Sequence, residues 1–122
     1  MYEFLNIPYK PAGRDYSGCD CYGLVYLFYR DFLHKDIKKF DIYDDCKIIQ
    51  ISNILNTHKK EFFRVTNPHN FDIILFRRKK FDLHVGIFLT KSKMLHISES
   101  IKFSAITGMQ EYKNCEREYY RC

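Results

Sequence analysis

Three side chains of this sequence combine the types needed for nucleophilic catalysis: Cys21 in Asp20-Cys21-Tyr22-Gly23-Leu24, His84 in His84-Val85-Gly86-Ile87, and His96 in Met94-Leu95-His96-Ile97. A thiol attacks a carbonyl as its thiolate, and a helix N-terminus favours that form through unpaired N–H groups and aligned peptide dipoles. A neighbouring imidazole completes the activation by taking the proton, and N–H groups of the first helical turn can hold the resulting oxyanion. A second imidazole can orient the first by hydrogen bonding to its other ring nitrogen. Each residue also has a plainer reading, as a small buried cysteine or a structural strand histidine. His34, His58 and His69 stand in polar, lysine-rich or proline-flanked surroundings and read as surface residues.

For the three to meet, the chain must provide a helix start and two adjacent strands. Asp20 is a good N-terminal acidic residue, and Leu24, Val25, Phe28 and Phe32 follow at the spacing of one buried helical face, with Cys21 on the same stripe. The second half changes to short runs rich in β-branched and aromatic residues: FDIILF (71–76), HVGIFL (84–89) and MLHIS (94–98). The connectors RRKKFD and TKSK suit turns, so antiparallel hairpins are expected, with His84 and His96 on neighbouring strands. A fourth strand is expected around Ile101 to Ile106 and a last one near Glu118 to Arg121. Between them and the first helix, Ile48, Ile51, Ile54 and Leu55 suggest a second helix within Cys46 to Lys60, though IIQIS also reads as a strand start. Residues 1–19 hold Pro8, Pro11, Gly13 and Gly18, an extended, turn-rich lead-in. The expected fold class is α+β, a helix packed on a small antiparallel sheet.

With 122 residues, 46% hydrophobic and 17% aromatic, the chain suits a single domain spanning 1–122. A formal charge of +5 is mild, and RRKK at Arg77 to Lys80 fits a solvated turn better than a nucleic-acid surface. Five cysteines (Cys19, Cys21, Cys46, Cys115 and Cys122) leave one unpaired in any intramolecular scheme, which favours a reduced chain with free thiols. A zinc module built on Cys19, Cys21 and histidines is a rival, weakly supported because Cys-x-Cys lacks a second cysteine pair. No cofactor is expected. No apolar run approaches the roughly 18 residues of a membrane span, and MYEFLNIPYK lacks the layout of a signal peptide. Action outside the cytoplasm would therefore require other delivery machinery.

The order IPYKPAGRDYSGCDCYGLV, FDIILF, HVGIFL and MLHIS resembles the NlpC/P60 family of cysteine peptidases, which cleave stem-peptide bonds of bacterial peptidoglycan. Its signature Asp-Cys-x-Gly-Leu/Phe is matched by Asp20 to Leu24, and its His-Val-Gly-Ile strand by His84 to Ile87. The resemblance implies a papain-like fold with Cys21 as nucleophile, His84 as general base and His96 orienting it. It favours Cys21 over Cys19, which lies in the loop before the helix. It also implies substrate contacts from Tyr9, from Asp20 toward a stem-peptide amine, and from Arg14 toward a carboxylate. Two departures, Tyr22 where serine is frequent and Phe71 where many members have glycine, are expected at the cleft edges, so Tyr22 joins the substrate-binding set. The PY…GR…G.DC.GL opening and the ending Tyr119-Tyr120-Arg121 are most similar to single-domain peptidases of phage tails and injection devices. That implies a phage-tail or secretion partner, action at the cell wall or periplasm, and cleavage between γ-D-glutamate and a diamino acid. The same site type also serves deamidation and acyl transfer, because all pass through a thioester. Residues 35–67 match no recognisable family element.

Overall fold

A computed structural model of the chain describes residues 1–37, 62–79, 82–90 and 93–121. The helix expected at Asp20 runs from Cys21 to Asp31 and is designated α1. Asp20 is its N-cap: the backbone there is extended, and the carboxylate accepts the Gly23 N–H at 2.7 Å. That bond satisfies one of the donors a helix leaves unpaired at its start. Residues 21–29 are all buried, wider than a single stripe, because the lead-in covers the side of α1 that the sheet does not. Phe32, expected on the apolar face, is the C-cap. Its ring lies 4.8 Å from Phe28, which also meets Phe4 at 5.1 Å and Phe71 at 5.4 Å. Such aromatic pairs each contribute about 0.5–1.5 kcal/mol beyond the area they bury, so this cluster fixes the C-terminal end of α1.

The lead-in forms a short hairpin, β1 (Arg14–Asp15) and β2 (Gly18–Cys19), packed against α1. Six further strands follow: β3 (Phe63–Val65), β4 (Ile73–Lys79), β5 (Asp82–Thr90), β6 (Lys93–His96), β7 (Ala105–Gly108) and β8 (Glu116–Arg121). They make one antiparallel sheet in the order β3-β8-β4-β5-β6-β7. Both faces are covered. Ile73, Leu75, Val85, Ile87, Leu95 and Ile97 share a core with α1, while Ile74, Phe76, Phe88 and Met94 pack on the other side with Met109 and Tyr112. Each fully buried side chain of this size contributes about 1.5–3 kcal/mol, so neither face is dispensable.

The expected α+β arrangement is the observed one, with local differences. RRKKFD is not simply a connector: the ladder continues through a bulge between Arg77 and Lys79 and resumes at Asp82. The strand near Ile101 to Ile106 begins at Ala105 and ends at Gly108. Strand β3, which lies outside the expected elements, is a short strand paired with β8. The second helix expected within Cys46 to Lys60 lies outside the described residues. Phe71 does not border the start of α1. It packs on Phe28 and Phe32 at the opposite end, with φ 77°, the left-handed region in which glycine is unstrained and a bulky residue is rare. Its backbone is held there by the Tyr29 hydroxyl, which donates to the Phe71 carbonyl, and by its own N–H on the Phe88 carbonyl.

Candidate active site

Cys21 is the first residue of α1 and is 8% exposed. The loop before it is held by Asp20, whose side chain is fully buried. One carboxylate oxygen accepts the Gly23 N–H at 2.7 Å and the Arg14 Nη1 at 2.7 Å, and the other accepts the Ala12 N–H at 2.9 Å. Arg14 also donates to the Gly13 carbonyl at 2.8 Å. Its guanidinium stands 5.5 Å from the centre of the Tyr22 ring, a cation–π distance. Gly23 makes this packing possible: a Cβ there would lie 2.1 Å from the Gly13 carbonyl oxygen, closer than any side chain tolerates. The Leu24 N–H is bonded to the Asp20 carbonyl. The Gly23 and Leu24 N–H groups are thus both committed to Asp20.

Of the four residues expected to meet substrate, Tyr9 is half-buried, and Arg14, Asp20 and Tyr22 are buried. Tyr22, 1% exposed, lies beneath Arg14 in the core and not at a cleft edge. Arg14 and Asp20 are turned toward each other, so in this geometry each neutralises the other's charge. Tyr9 runs beside Cys19 in a parallel bridge, and its N–H bonds the Lys102 carbonyl at 2.7 Å. Cys19, in β2, is fully buried, and burial, reinforced by the Asp20 carboxylate, pushes its thiol up to about 12. A thiol of that kind is inert near neutrality. His34 and His69 are exposed, as their surroundings suggest, and His58 lies outside the described residues.

His84 and His96 are brought together. His84 Nε2 and His96 Nδ1 are 2.9 Å apart, and both residues are buried. The approach depends on Gly86, whose notional Cβ would lie 3.2 Å from the His96 Cβ and 3.2 Å from the Met94 sulfur. The paired ladder between β5 and β6 begins at Ile87–Leu95, so both imidazoles stand at the unpaired end of the hairpin. They share the sheet face of Phe76, whose ring lies 6.5 Å from His84. Tyr112 is parallel to His84 at 5.0 Å and edge-on to His96 at 6.1 Å. Cys21 belongs to the core cluster on the other face of the sheet, which also holds Val85 and Ile87 of β5.

Two contacts of this site were not legible in the sequence. His96 Nε2 lies 2.7 Å from the Thr107 hydroxyl, and Tyr112 walls both imidazoles; each comes from a distant element that no local pattern ties to the histidines. A cavity of ≈ 220 Å³ among the described residues opens at the other end of α1, beside Tyr29, Phe71, Asp72 and Arg121. It contains none of these groups. Among the described residues no cluster of three or more His, Cys, Asp or Glu is arranged to hold a metal ion, and no helix is long and apolar enough to cross a membrane.

A family model described as the NlpC/P60 family matches residues 6–118. Among solved structures, the NlpC/p60 domain of the peptidoglycan hydrolase SagA is similar with a TM-score of 0.66 and 18% identity, over 97% of this chain and 90% of that one. No curated protein matches the sequence.

Proposed function

The chain belongs to the NlpC/P60 family, and on that premise we propose that it is a cysteine peptidase that hydrolyses stem-peptide bonds of peptidoglycan. Cys21 is the nucleophile, His84 the general base and His96 the residue that orients His84. The observation that carries this reading is the buried 2.9 Å contact between the two imidazoles, which engages His84 Nε2 and points the proton-accepting role to Nδ1. The description of the SagA domain as part of a peptidoglycan hydrolase supports the substrate class.

In the proposed reaction His84 Nδ1 takes the Cys21 proton, and the thiolate adds to the peptide carbonyl. The Cys21 N–H stabilises the oxyanion, the imidazolium protonates the departing amine, and water attacks the thioester to regenerate the thiol. The scissile bond is that between γ-D-glutamate and a diamino acid. Tyr9 faces the substrate, whereas Arg14 and Asp20 shape the loop from within it. Delivery to the cell wall relies on a phage-tail or secretion assembly.

Digestion of purified muropeptides, with products identified by mass, tests the reading. Wild type and Cys19→Ala should both cut, and Cys21→Ala should lose at least ~10³-fold in rate. Full activity in Cys21→Ala would remove it as the nucleophile. Products shifted by one mass unit without chain cleavage would identify a deamidase, and no product at all would overturn the peptidoglycan substrate.

A further inference from the structure

We propose that Thr107 is a positioning residue that sets the tautomers of both histidines. The inference deepens the reading of Cys21 and His84 given above and rests on it. A threonine hydroxyl has one proton to donate. The Thr107 oxygen lies 2.9 Å from the Gly108 carbonyl, which can only accept; with its proton directed there, the hydroxyl is an acceptor toward His96 Nε2, 2.7 Å away. His96 must then carry its proton on Nε2 and present a bare Nδ1. That nitrogen, 2.9 Å from His84 Nε2, accepts, and so His84 also carries its proton on Nε2. A neutral imidazole with Nε2–H has an unprotonated Nδ1, the form able to take a proton from Cys21.

The reverse chain would join the same side chains and be catalytically dead. If the Thr107 hydroxyl donated to His96, His96 would donate from Nδ1 and His84 would offer Cys21 an N–H instead of a lone pair. The Gly108 carbonyl breaks the tie. The arrangement also survives the reaction: when the Cys21 proton moves to His84 Nδ1, the His84 Nε2–H bond to His96 remains, and no proton need leave toward Thr107. Strand pairing places the hydroxyl, since Thr107 stands opposite Met94 and diagonal to His96, within the reach of cross-strand neighbours.

Long-range ¹H–¹⁵N spectra of ¹⁵N-histidine-labelled full-length chain read ring protonation directly, independently of any substrate. Wild type should show Nε2–H forms for His84 and His96. Thr107→Val, which keeps the β-branched shape but has no oxygen, should show His96 averaging between tautomers, with kcat on muropeptides lowered about ten-fold and KM unchanged. An enforced wrong tautomer costs far more, up to about 10⁴ in a serine protease triad; here only the preference is lost. Thr107→Ser should restore both spectrum and rate to within about two-fold. A wild-type spectrum with Nδ1–H on His96, or a valine variant with unchanged ring signals, would overturn the proposal while leaving the peptidase reading intact. Wild-type chain that cleaves nothing yet shows the expected spectral change would do the opposite.

Discussion

One buried polar network lies before α1 and another on the sheet, and they are made of opposite kinds of group. Before α1, Arg14 and Asp20 form an ion pair whose side chains are 6% and 0% exposed. Their further bonds run to backbone groups of Ala12, Gly13 and Gly23. On the sheet, His84, His96 and Thr107 form a chain of groups that can be neutral and that share one proton in each bond. The first network can only hold a shape. The second can change protonation without changing shape, which is what a general base requires. Fixed charges belong where a backbone must not move, and tautomerisable rings where a proton must.

The largest expected effect tests the first half of that contrast. Asp20→Ala removes an N-cap worth about 1 kcal/mol and leaves the Arg14 guanidinium buried without its counter-charge, a situation that costs about 3–5 kcal/mol when one member of a buried pair is removed. Among the described residues the Arg14 Nε already lacks a hydrogen-bond partner, so the variant has little means of compensation. Urea titration should show a loss of that order. A loss below about 1 kcal/mol would mean that the pair is not what fixes the loop.

The sequence made much of this visible. Leu24, Val25 and Phe28 announced α1 because buried helical faces recur every three or four residues, and the three runs after residue 70 announced β4, β5 and β6 because β-branched and aromatic residues between charged, turn-compatible connectors suit strands. Cys21, His84 and His96 stood out because a helix-start thiol with two strand imidazoles combines the types that nucleophilic catalysis needs. Thr107 and Tyr112 did not, since a threonine in an edge strand and a tyrosine in a 3-10 turn become partners of histidines only through pairing that local pattern does not encode. The burial of Tyr22 beneath Arg14 was hidden for a related reason: it depends on the β1–β2 hairpin packing against α1. The left-handed backbone of Phe71 was equally hidden, because the aromatic cluster at the end of α1 overrides what a phenylalanine prefers locally.

A middle-sized effect probes the second network without touching a titrating group. Gly86→Ala places a methyl 3.2 Å from the His96 Cβ and the Met94 sulfur and 3.3 Å from the Leu95 carbonyl oxygen. Met94 is flexible enough to give way, so stability should fall by only about 1 kcal/mol. The imidazole pair has less freedom. Displacement of His96 lengthens its bond to His84, and misplacements approaching 1 Å at a reacting centre cost up to about 10²-fold. The expected result is a folded protein with activity reduced about ten-fold. Unchanged activity would show that the spacing of the two histidines tolerates more play than a fixed chain allows.

The smallest effect separates two thiols that are neighbours in sequence, and it shows most directly how each network treats a titratable group. Cys19 lies against the fixed network, where burial first and the Asp20 carboxylate second raise its pKa from 9.0 to about 12. In the unfolded chain the thiol ionises from about pH 9, while in the folded chain it keeps its proton. The folded state therefore binds more protons between those two values, and stability must fall as pH rises, by at most about 1.4 kcal/mol per pH unit. Tyr16 and Tyr120, also raised to about 12 from 10.0, add a loss of the same sign at higher pH. Comparison of wild type with Cys19→Ala from about pH 8 to about pH 10 isolates the cysteine. The alanine variant starts lower, by on the order of 1 kcal/mol for the sulfur it no longer packs, but its curve should be flatter, so the two converge as pH rises. Parallel curves would mean that Cys19 titrates as an exposed thiol does, and the burial that distinguishes it from Cys21 would then be too weak to keep it out of the chemistry.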